Sequence, residues 1–396
     1  MKIAFFSDTY LPYTSGAVMS LLSFSRRLKE RGHQVRFVVP SSPGASGRAE
    51  GVYVVPSLAV PQYPGLRLAF PLGQAALASW VRDVDIIHAH SPFTLGLSGL
   101  RLARHVRERD IPVVFTCHSL YEEYARYVPA VAPVARWLIR AYTVRFCNNV
   151  SLVLAPSSFV KKTLEGWGVR TRIAVLPTGV NLDRYRFQAT GARRRTLGIA
   201  SDTKLLLYTG RLAKEKNLAF LIRAFARAAR DGGQALHLVL IGGGPEERPL
   251  QTLIRERGLQ QLVTFTGVLP QEEVMQWYLE ADLFVFASLV ETQGMVLLES
   301  MAAGVPVVAL RSPATAELVS DGEDGFLTEE REEIFAGRIL SALKEPVHSR
   351  MGPAARRKAA GFDEKMLAEK LEQLYLELIR GEVVGWRTEK EEDQER

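Results

Sequence analysis

What this chain has little of narrows its class first. Only two cysteines, Cys117 and Cys147, occur in 396 residues, and neither has metal-ligand spacing. That excludes a disulfide scaffold and a cysteine-bound zinc, and it fits a reducing, cytoplasmic compartment. No run approaches the roughly 18 apolar residues of a membrane span. The N-terminus, Met1-Lys2-Ile3-Ala4-Phe5-Phe6-Ser7-Asp8, reads as a strand ending in a polar loop, without the small-residue cleavage site of a secretory leader. The three spaced glycines of the dinucleotide fingerprint are missing, which argues against a nicotinamide enzyme. His88 and His90 frame a short polar run with no third ligand at metal spacing, so a zinc site is not expected. There is no aromatic-basic RNA motif, zinc finger or basic zipper, and nucleic acid is not an expected partner.

Charge of one sign is scarce in one half. Residues 1–187 carry 23 Lys+Arg against 11 Asp+Glu, a net +12; residues 188–396 carry 27 against 32, a net −5. A basic half beside an acidic half implies that one half meets an anionic surface, with lipid headgroups the remaining candidate; thinly spread arginine is the plainer alternative.

The length suits two domains of ordinary size. Short apolar runs at Ile3–Ser7, Val35–Val39, Ile86–His88, Val113–Thr116 and Leu152–Ala155 alternate with amphipathic stretches at Val18–Arg31, Gly73–Val81, Gly96–Arg109, Ala135–Phe146 and Ser158–Trp167. Leu21, Leu22, Phe24 and Leu28 show the helical spacing. Polar residues 184–200, with Arg193-Arg194-Arg195, read as a linker. The alternation then restarts, with strands at Leu205–Thr209, Leu236–Ile241, Val263–Phe265, Leu283–Phe286 and Val307–Leu310. Helices are expected at Leu218–Arg230, Glu247–Arg257, Glu272–Glu280, Met295–Ala303 and Glu333–Leu343. The fold class is therefore α/β: two doubly wound, Rossmann-like domains, 1–187 and 188–362, facing each other across a cleft. A last amphipathic helix, Met366–Ile379, ends at Gly381, and a charged tail follows to 396. Open α/β sheets bind ligands at the carboxyl ends of their strands, so the loops there deserve the closest reading.

Residues 291–299, Glu-Thr-Gln-Gly-Met-Val-Leu-Leu-Glu, follow an apolar strand and open an apolar helix that Gly304 and Pro306 stop. A loop Glu291 and a helical Glu299 can grip two ends of one elongated ligand, with free N–H groups near Gly294 and Met295 receiving phosphate between them. A surface helix with two solvated glutamates has the same spacing. Arg211 and Lys216, five apart after the strand Leu205–Thr209, can converge on one diphosphate, the first as a fork and the second as a point charge; an exposed basic loop looks the same. Gly16 opens a helix and lets a diphosphate approach the backbone, or simply makes a turn. Gly243 lies in Gly242-Gly243-Gly244-Pro245, a tight turn after another strand. His118, in Phe115-Thr116-Cys117-His118-Ser119-Leu120-Tyr121-Glu122-Glu123-Tyr124, stands at a strand end, as a sugar-binding imidazole or a loop cap. The stretch 131–146 interleaves Arg136, Arg140 and Arg145 with Val134, Trp137, Leu138, Ile139 and Tyr142. It suits a helix lying on an anionic interface, or a domain helix with snorkelling arginines.

Together these motifs, ordered along nearly the whole chain, resemble glycosyltransferase family 4, retaining enzymes of the GT-B fold. The resemblance implies roles position by position. Gly16 sits beside the donor phosphates, His118 beside the donor sugar, and Arg211 and Lys216 clamp the diphosphate. Glu291 takes the sugar hydroxyls, Glu299 the ribose, and Gly243, Gly294 and Met295 offer backbone to the donor. His118, Arg211, Lys216 and Glu291 are thus the expected catalytic set. The C-terminal helix is expected to cross back onto the first domain. Thr-Gln-Gly at 292–294 replaces the Phe-Gly frequent in the family. With the His118–Tyr124 run and His90-Ser91-Pro92-Phe93, it is similar to the diacylglycerol glucosyltransferase branch. That implies a donor nucleoside diphosphate sugar, UDP-glucose by expectation, with no metal or other cofactor. It also implies a membrane lipid acceptor, peripheral residence on the inner face of the cell membrane, and acceptor or membrane contacts at Tyr13, Tyr121, Arg136, Trp137 and Arg140. The competing expectations are a transferase acting on a soluble sugar, sugar phosphate or inositol phosphate, a nucleotide-sugar epimerase, and a non-enzymatic membrane-surface scaffold.

Overall fold

The computed structural model describes residues 1–43, 50–60, 67–71, 74–105, 110–122 and 132–382. Gly73, the last turn of the helix expected to reach Arg109, Glu123-Tyr124, Val131 and the tail from 383 lie outside them. The chain divides into two compact units. One comprises Met1–Gly179 with the C-terminal helix Glu364–Arg380, and the other Val180–Asp363.

The first unit is built on a parallel sheet. Its strands are β1 (Lys2–Phe6), β2 (Gln34–Pro40), β3 (Val52–Val55), β6 (Ile86–Ala89), β7 (Val113–Thr116), β8 (Leu152–Ala155) and β9 (Ile173–Val175), and a small antiparallel hairpin, β4 (Ser57–Ala59) and β5 (Arg67–Ala69), stands apart. The order is β3-β2-β1-β6-β7-β8-β9. Ile3, Ala4, Phe5 and Phe6 are all fully buried, as a strand covered on both faces requires. The helix Gly16–Glu30 starts where the Ser15 hydroxyl, on an extended backbone, accepts from Val18 N, and it buries Val18, Leu21, Phe24 and Leu28 along one stripe. The C-terminal helix lies against it. The buried Glu364 carboxylate accepts from Ser23 Oγ at 2.6 Å, Arg26 Nη2 at 2.6 Å and Arg27 Nε at 2.9 Å. At the turn into this helix a Cβ on Gly179 would stand 2.5 Å from Glu364 Cα, so only glycine allows the approach.

The second unit repeats the plan with β10 (Lys204–Thr209), β11 (Leu236–Ile241), β12 (Val263–Gly267), β13 (Leu283–Phe286), β14 (Val307–Leu310) and β15 (Gly325–Thr328), in the order β12-β11-β10-β13-β14-β15. The polar stretch 184–200 corrects the linker expectation. It forms a 3₁₀ turn, Leu182–Tyr185, and a short helix, Ala192–Thr196, inside this unit. Arg194 meets Asp282 at 2.5 Å and donates to Thr203 O at 2.6 Å, while Glu280 accepts from the Arg193 and Arg194 amides. The arginines that made the segment look solvated are consumed by partners far along the chain, which composition does not reveal.

Each sheet has one place where neighbouring strands lead their chain in opposite directions: between β1 and β6, and between β10 and β13. Loops diverge there and leave a crevice at the strand ends.

Candidate active site

In the first unit the loops after β1, β6 and β7 meet at that point. Asp8 is fully buried; its carboxylate accepts from Ser91 Oγ at 2.6 Å, Thr94 Oγ1 at 2.6 Å and Leu95 N at 3.0 Å. It thereby caps the helix Thr94–His105 and ties the loop after β1 to the loop after β6, although burial raises its pKa. Past it, Tyr13 is part-exposed, and Gly16 is exposed as the first residue of its helix. A Cβ built on Gly16 meets no atom within 4 Å. The fold itself therefore gives no reason for glycine there.

His118 and His90 share a hydrogen bond, Nε2 to Nδ1 at 2.9 Å, with rings stacked 5.2 Å apart. His88, fully buried beside them, is held by Tyr375 Oη of the C-terminal helix at 2.6 Å and by Thr116 Oγ1 at 2.7 Å. Burial pushes His118 down to about 4 and His88 down to about 3, the latter helped by His118, and holds His90 well below its ordinary value. All three rings are neutral near pH 7, so each offers one donor and one acceptor. The shared bond makes the two outer nitrogens complementary. If His118 donates from Nε2, its Nδ1 is an acceptor and His90 carries its proton on Nε2, a buried atom with no partner among the described residues.

In the second unit the loops after β10 and β13 close on each other. Lys216 Nζ lies 2.5 Å from Glu291 Oε1, and Ser288 Oγ donates to Glu215 O at 3.2 Å. Arg211 is ion-paired to Glu215, so the two cations expected to share one anion each carry a carboxylate neighbour. Asn217 takes the left-handed backbone, φ 55°, that turns the chain into the helix Leu218–Asp231. Gly294, also left-handed at φ 88°, begins the helix Met295–Ala302, whose start has no side-chain cap. That leaves the amide end of this helix beside Glu291. Glu299 is on the helix itself and accepts from Tyr278 Oη at 3.0 Å, while Tyr278 also meets Thr209 Oγ1, the last residue of β10, at 2.5 Å. Burial pushes Glu299 up to about 7 against the opposing pull of the Tyr278 hydrogen bond and the Arg184 charge. Gly242 and Gly244 are demanded by the fold, because Cβ atoms there would lie 1.9 Å from Gly210 O and 2.3 Å from Leu212 O. Gly243 between them would meet only the tip of Val268, at 3.2 Å.

The helix Ala132–Cys147 carries the remaining expected contacts. Val134, Trp137 and Leu138 are 62%, 67% and 54% exposed. Arg136 is exposed; Arg140 is bridged to Glu122 at 2.9 Å and lies over the Trp167 ring. Tyr121 is buried, edge-on to Phe93, so it is a wall and not a surface contact.

Residues 14–184 match the family Glycosyltransferase Family 4, and residues 190–358 match Glycosyl transferases group 1. An "Alpha-monoglucosyldiacylglycerol synthase" of Streptococcus pneumoniae is 33% identical over 352 residues, 87% of this chain and 78% of that protein. The chain belongs to glycosyltransferase family 4. A second protein of the same name, from Acholeplasma laidlawii, is 26% identical over 96% of this chain and 98% of its own. The "N-acetyl-alpha-D-glucosaminyl L-malate synthase" of Bacillus anthracis is 25% identical over 95% and 98%. Among solved structures, Anabaena HepE in complex with UDP and glucose superposes with a TM-score of 0.77 at 22% identity, covering 94% of this chain and 99% of that one. The fold is GT-B, and the family-4 chain is a hexosyltransferase.

Of the residues singled out from its sequence, the glycosyltransferase brings Arg211, Lys216, Glu291, Gly294, Met295 and Glu299 to one end of its second sheet, and Gly16 and His118 to the corresponding end of the first. Sequence reading dismissed His90 for want of a metal site. The signal was there: alternate residues at the end of a strand share a face, so His88 and His90 project together. Tyr278, Thr209 and Tyr375 had no such signal, since each comes from an element distant in sequence.

Proposed function

We propose that this glycosyltransferase moves glucose from UDP-glucose to the hydroxyl of a membrane diacylglycerol with retention of configuration. The observation that carries the reading is the Lys216–Glu291 pair, 2.5 Å apart at the β10/β13 crevice and next to an uncapped helix start. A cation, a carboxylate and a helix start without a side-chain cap in one place match a ligand with a diphosphate joined to a polyhydroxyl ring. In this reading Lys216 and Arg211 meet the diphosphate, exchanging their carboxylate neighbours for phosphate oxygens, and Glu291 is released to the sugar hydroxyls. Glu299 accepts from the ribose, Gly243 and Met295 offer backbone, and Gly16 lets phosphate approach its helix start. His118, neutral and fixed by His90, bonds the sugar. The bond from the anomeric carbon to the diphosphate oxygen breaks and the bond to the acceptor oxygen forms on the same face. The departing phosphate oxygen takes the acceptor's proton. Stabilising that departing charge is the work of the two cations. The S. pneumoniae and A. laidlawii relatives support the lipid acceptor and the glucosyl group; the HepE complex with UDP and glucose supports those two ligands.

The test is incubation with diacylglycerol-containing liposomes and a panel of labelled nucleotide sugars, the anomer read by NMR. An α-linked glucosyl lipid is expected. A β-linked product removes the retaining mechanism, and transfer only to soluble acceptors, in the manner the B. anthracis relative's name describes, removes the lipid reading. Lys216→Ala is expected to lower turnover by about 10²–10³ with an unchanged circular dichroism spectrum; near-normal turnover ends its role.

A further inference from the structure

A cavity of about 250 Å³ lies in the first unit beneath the helix Ala132–Cys147, lined by Pro92, Phe93, Tyr121, Leu138, Ile139, Tyr142 and Thr143. Tyr142 Oη donates to Pro92 O, and Thr143 Oγ1 donates to Ile139 O at 2.8 Å. Tyr121 stands edge-on to Phe93. The lining therefore asks little hydrogen bonding of an occupant. Apolar space favours apolar occupants, and an engineered cavity of roughly 150 Å³ is enough to take up benzene. The size is below the roughly 300–1,000 Å³ that holds a whole drug-sized ligand, so it suits one end of a larger molecule.

Two observations say what that molecule is. Leu138 both lines the cavity and is 54% exposed, so the cavity reaches the surface within the exposed Val134, Trp137, Leu138 row. Arg136 on the same helix is exposed, a charge that an anionic lipid interface complements. The walls also belong to the active-site loops: Pro92 and Phe93 are two and three residues after His90, and Tyr121 is three residues after His118. We propose that this cavity is an acyl-chain site, which draws one chain of the diacylglycerol acceptor out of the bilayer and so brings the glycerol hydroxyl toward the His90–His118 loops. The proposal rests on the lipid-acceptor reading and adds to it where the lipid is held.

The experiment places a diacylglycerol with a photoactivatable diazirine in one acyl chain in vesicles with the full-length protein and maps the labelled residues by mass spectrometry. Label at Pro92, Phe93 and 138–143, displaced by unlabelled dioctanoylglycerol, is the expected result. Label confined to Val134 and Trp137, or equal cavity labelling by a phosphatidylglycerol carrying the same diazirine, overturns the site. In parallel, kcat/KM is measured against saturated diacylglycerols of increasing chain length. With the diacylglycerols presented as monomers in water and no vesicles, each methylene seated in the cavity is worth about fourfold, so the rate constant climbs and then levels. Ile139→Trp, which fills the space, and Leu138→Gln, at an exposed position that leaves the core intact, are expected to flatten that climb. A climb identical to wild type in both overturns the proposal. Labelling needs no turnover, so cavity label without any glucosyl lipid product faults the activity assigned above and leaves the acyl site standing.

Discussion

Single residues separate what the fold needs from what a ligand needs. Gly16 has an ordinary backbone, and a Cβ there meets nothing, so Gly16→Ala is expected to keep or slightly raise thermal stability, alanine being the better helix residue. If the phosphates approach that backbone, the same change raises KM for the donor at least tenfold; an unchanged KM removes Gly16 from the donor site. Glu299 gives a second test, through pH. Its carboxyl titrates at about 7 because it is buried. An ionised Glu299 accepts two ribose hydroxyls, a protonated one does not. Between pH 6 and pH 8 the ionised fraction rises from about a tenth to about nine tenths, so nucleotide affinity is expected to strengthen about tenfold over that interval, read by calorimetry. Glu299→Gln flattens the dependence. For the unliganded fold the sign is reversed: the raised carboxyl makes the fold less stable as pH climbs from 4.5 toward 7, and the glutamine variant loses that slope too. A wild-type profile already flat would show that Glu299 does not touch the nucleotide.

At the level of elements, the start of the C-terminal helix is tightly anchored. Its first residue, Glu364, is buried with the Arg26 and Arg27 guanidiniums on it, and Gly179 leaves no room for a methyl beside it. Gly179→Ala is expected to cost about 1–3 kcal/mol by overpacking, measured by urea titration; a shift under a few tenths of that would mean the turn relaxes freely. The same helix shows why sequence reading reached some elements and not others. Strands such as Leu236–Ile241 and Leu283–Phe286 were legible because a buried parallel strand is an unbroken apolar run. Val52–Val55, Ile173–Val175 and Gly325–Thr328 are three or four residues long and carry no period to read. The segment 184–200 was misjudged because Arg193 and Arg194 are paired with Glu273 and Asp282, whose nearness only the folded chain reveals. In the site, Glu291 to Glu299 were legible as a group because one continuous motif carries them. The bonds His90–His118, Thr209–Tyr278 and His88–Tyr375 join different elements, and no linear pattern encodes them.

Across the whole molecule, charge and exposed apolar surface are biased to the same half. The net +12 of residues 1–187 coincides with exposed Leu58, Leu68 and Phe70 on the β4–β5 hairpin and with Val134, Trp137 and Leu138 on the helix Ala132–Cys147. Among the described residues no helix is long and apolar enough to cross a membrane. If this basic and aromatic surface meets a bilayer, two separable terms hold it there. The electrostatic term needs anionic lipid and is screened by salt; the apolar term needs neither. A basic residue near an anionic surface is worth about 1 kcal/mol, or about fivefold in affinity. Arg136→Gln is therefore expected to weaken binding to phosphatidylglycerol-containing vesicles about fivefold, to do so less at high salt, and to leave binding to purely zwitterionic vesicles unchanged. Trp137→Ala removes a side chain that is 67% exposed and is expected to weaken binding to both kinds of vesicle, at any salt concentration. Flotation of the two variants with each vesicle type reads the terms apart. Equal retention of wild-type binding by both would mean that this helix does not face the lipid, and that the basic excess of the first half serves some other anion.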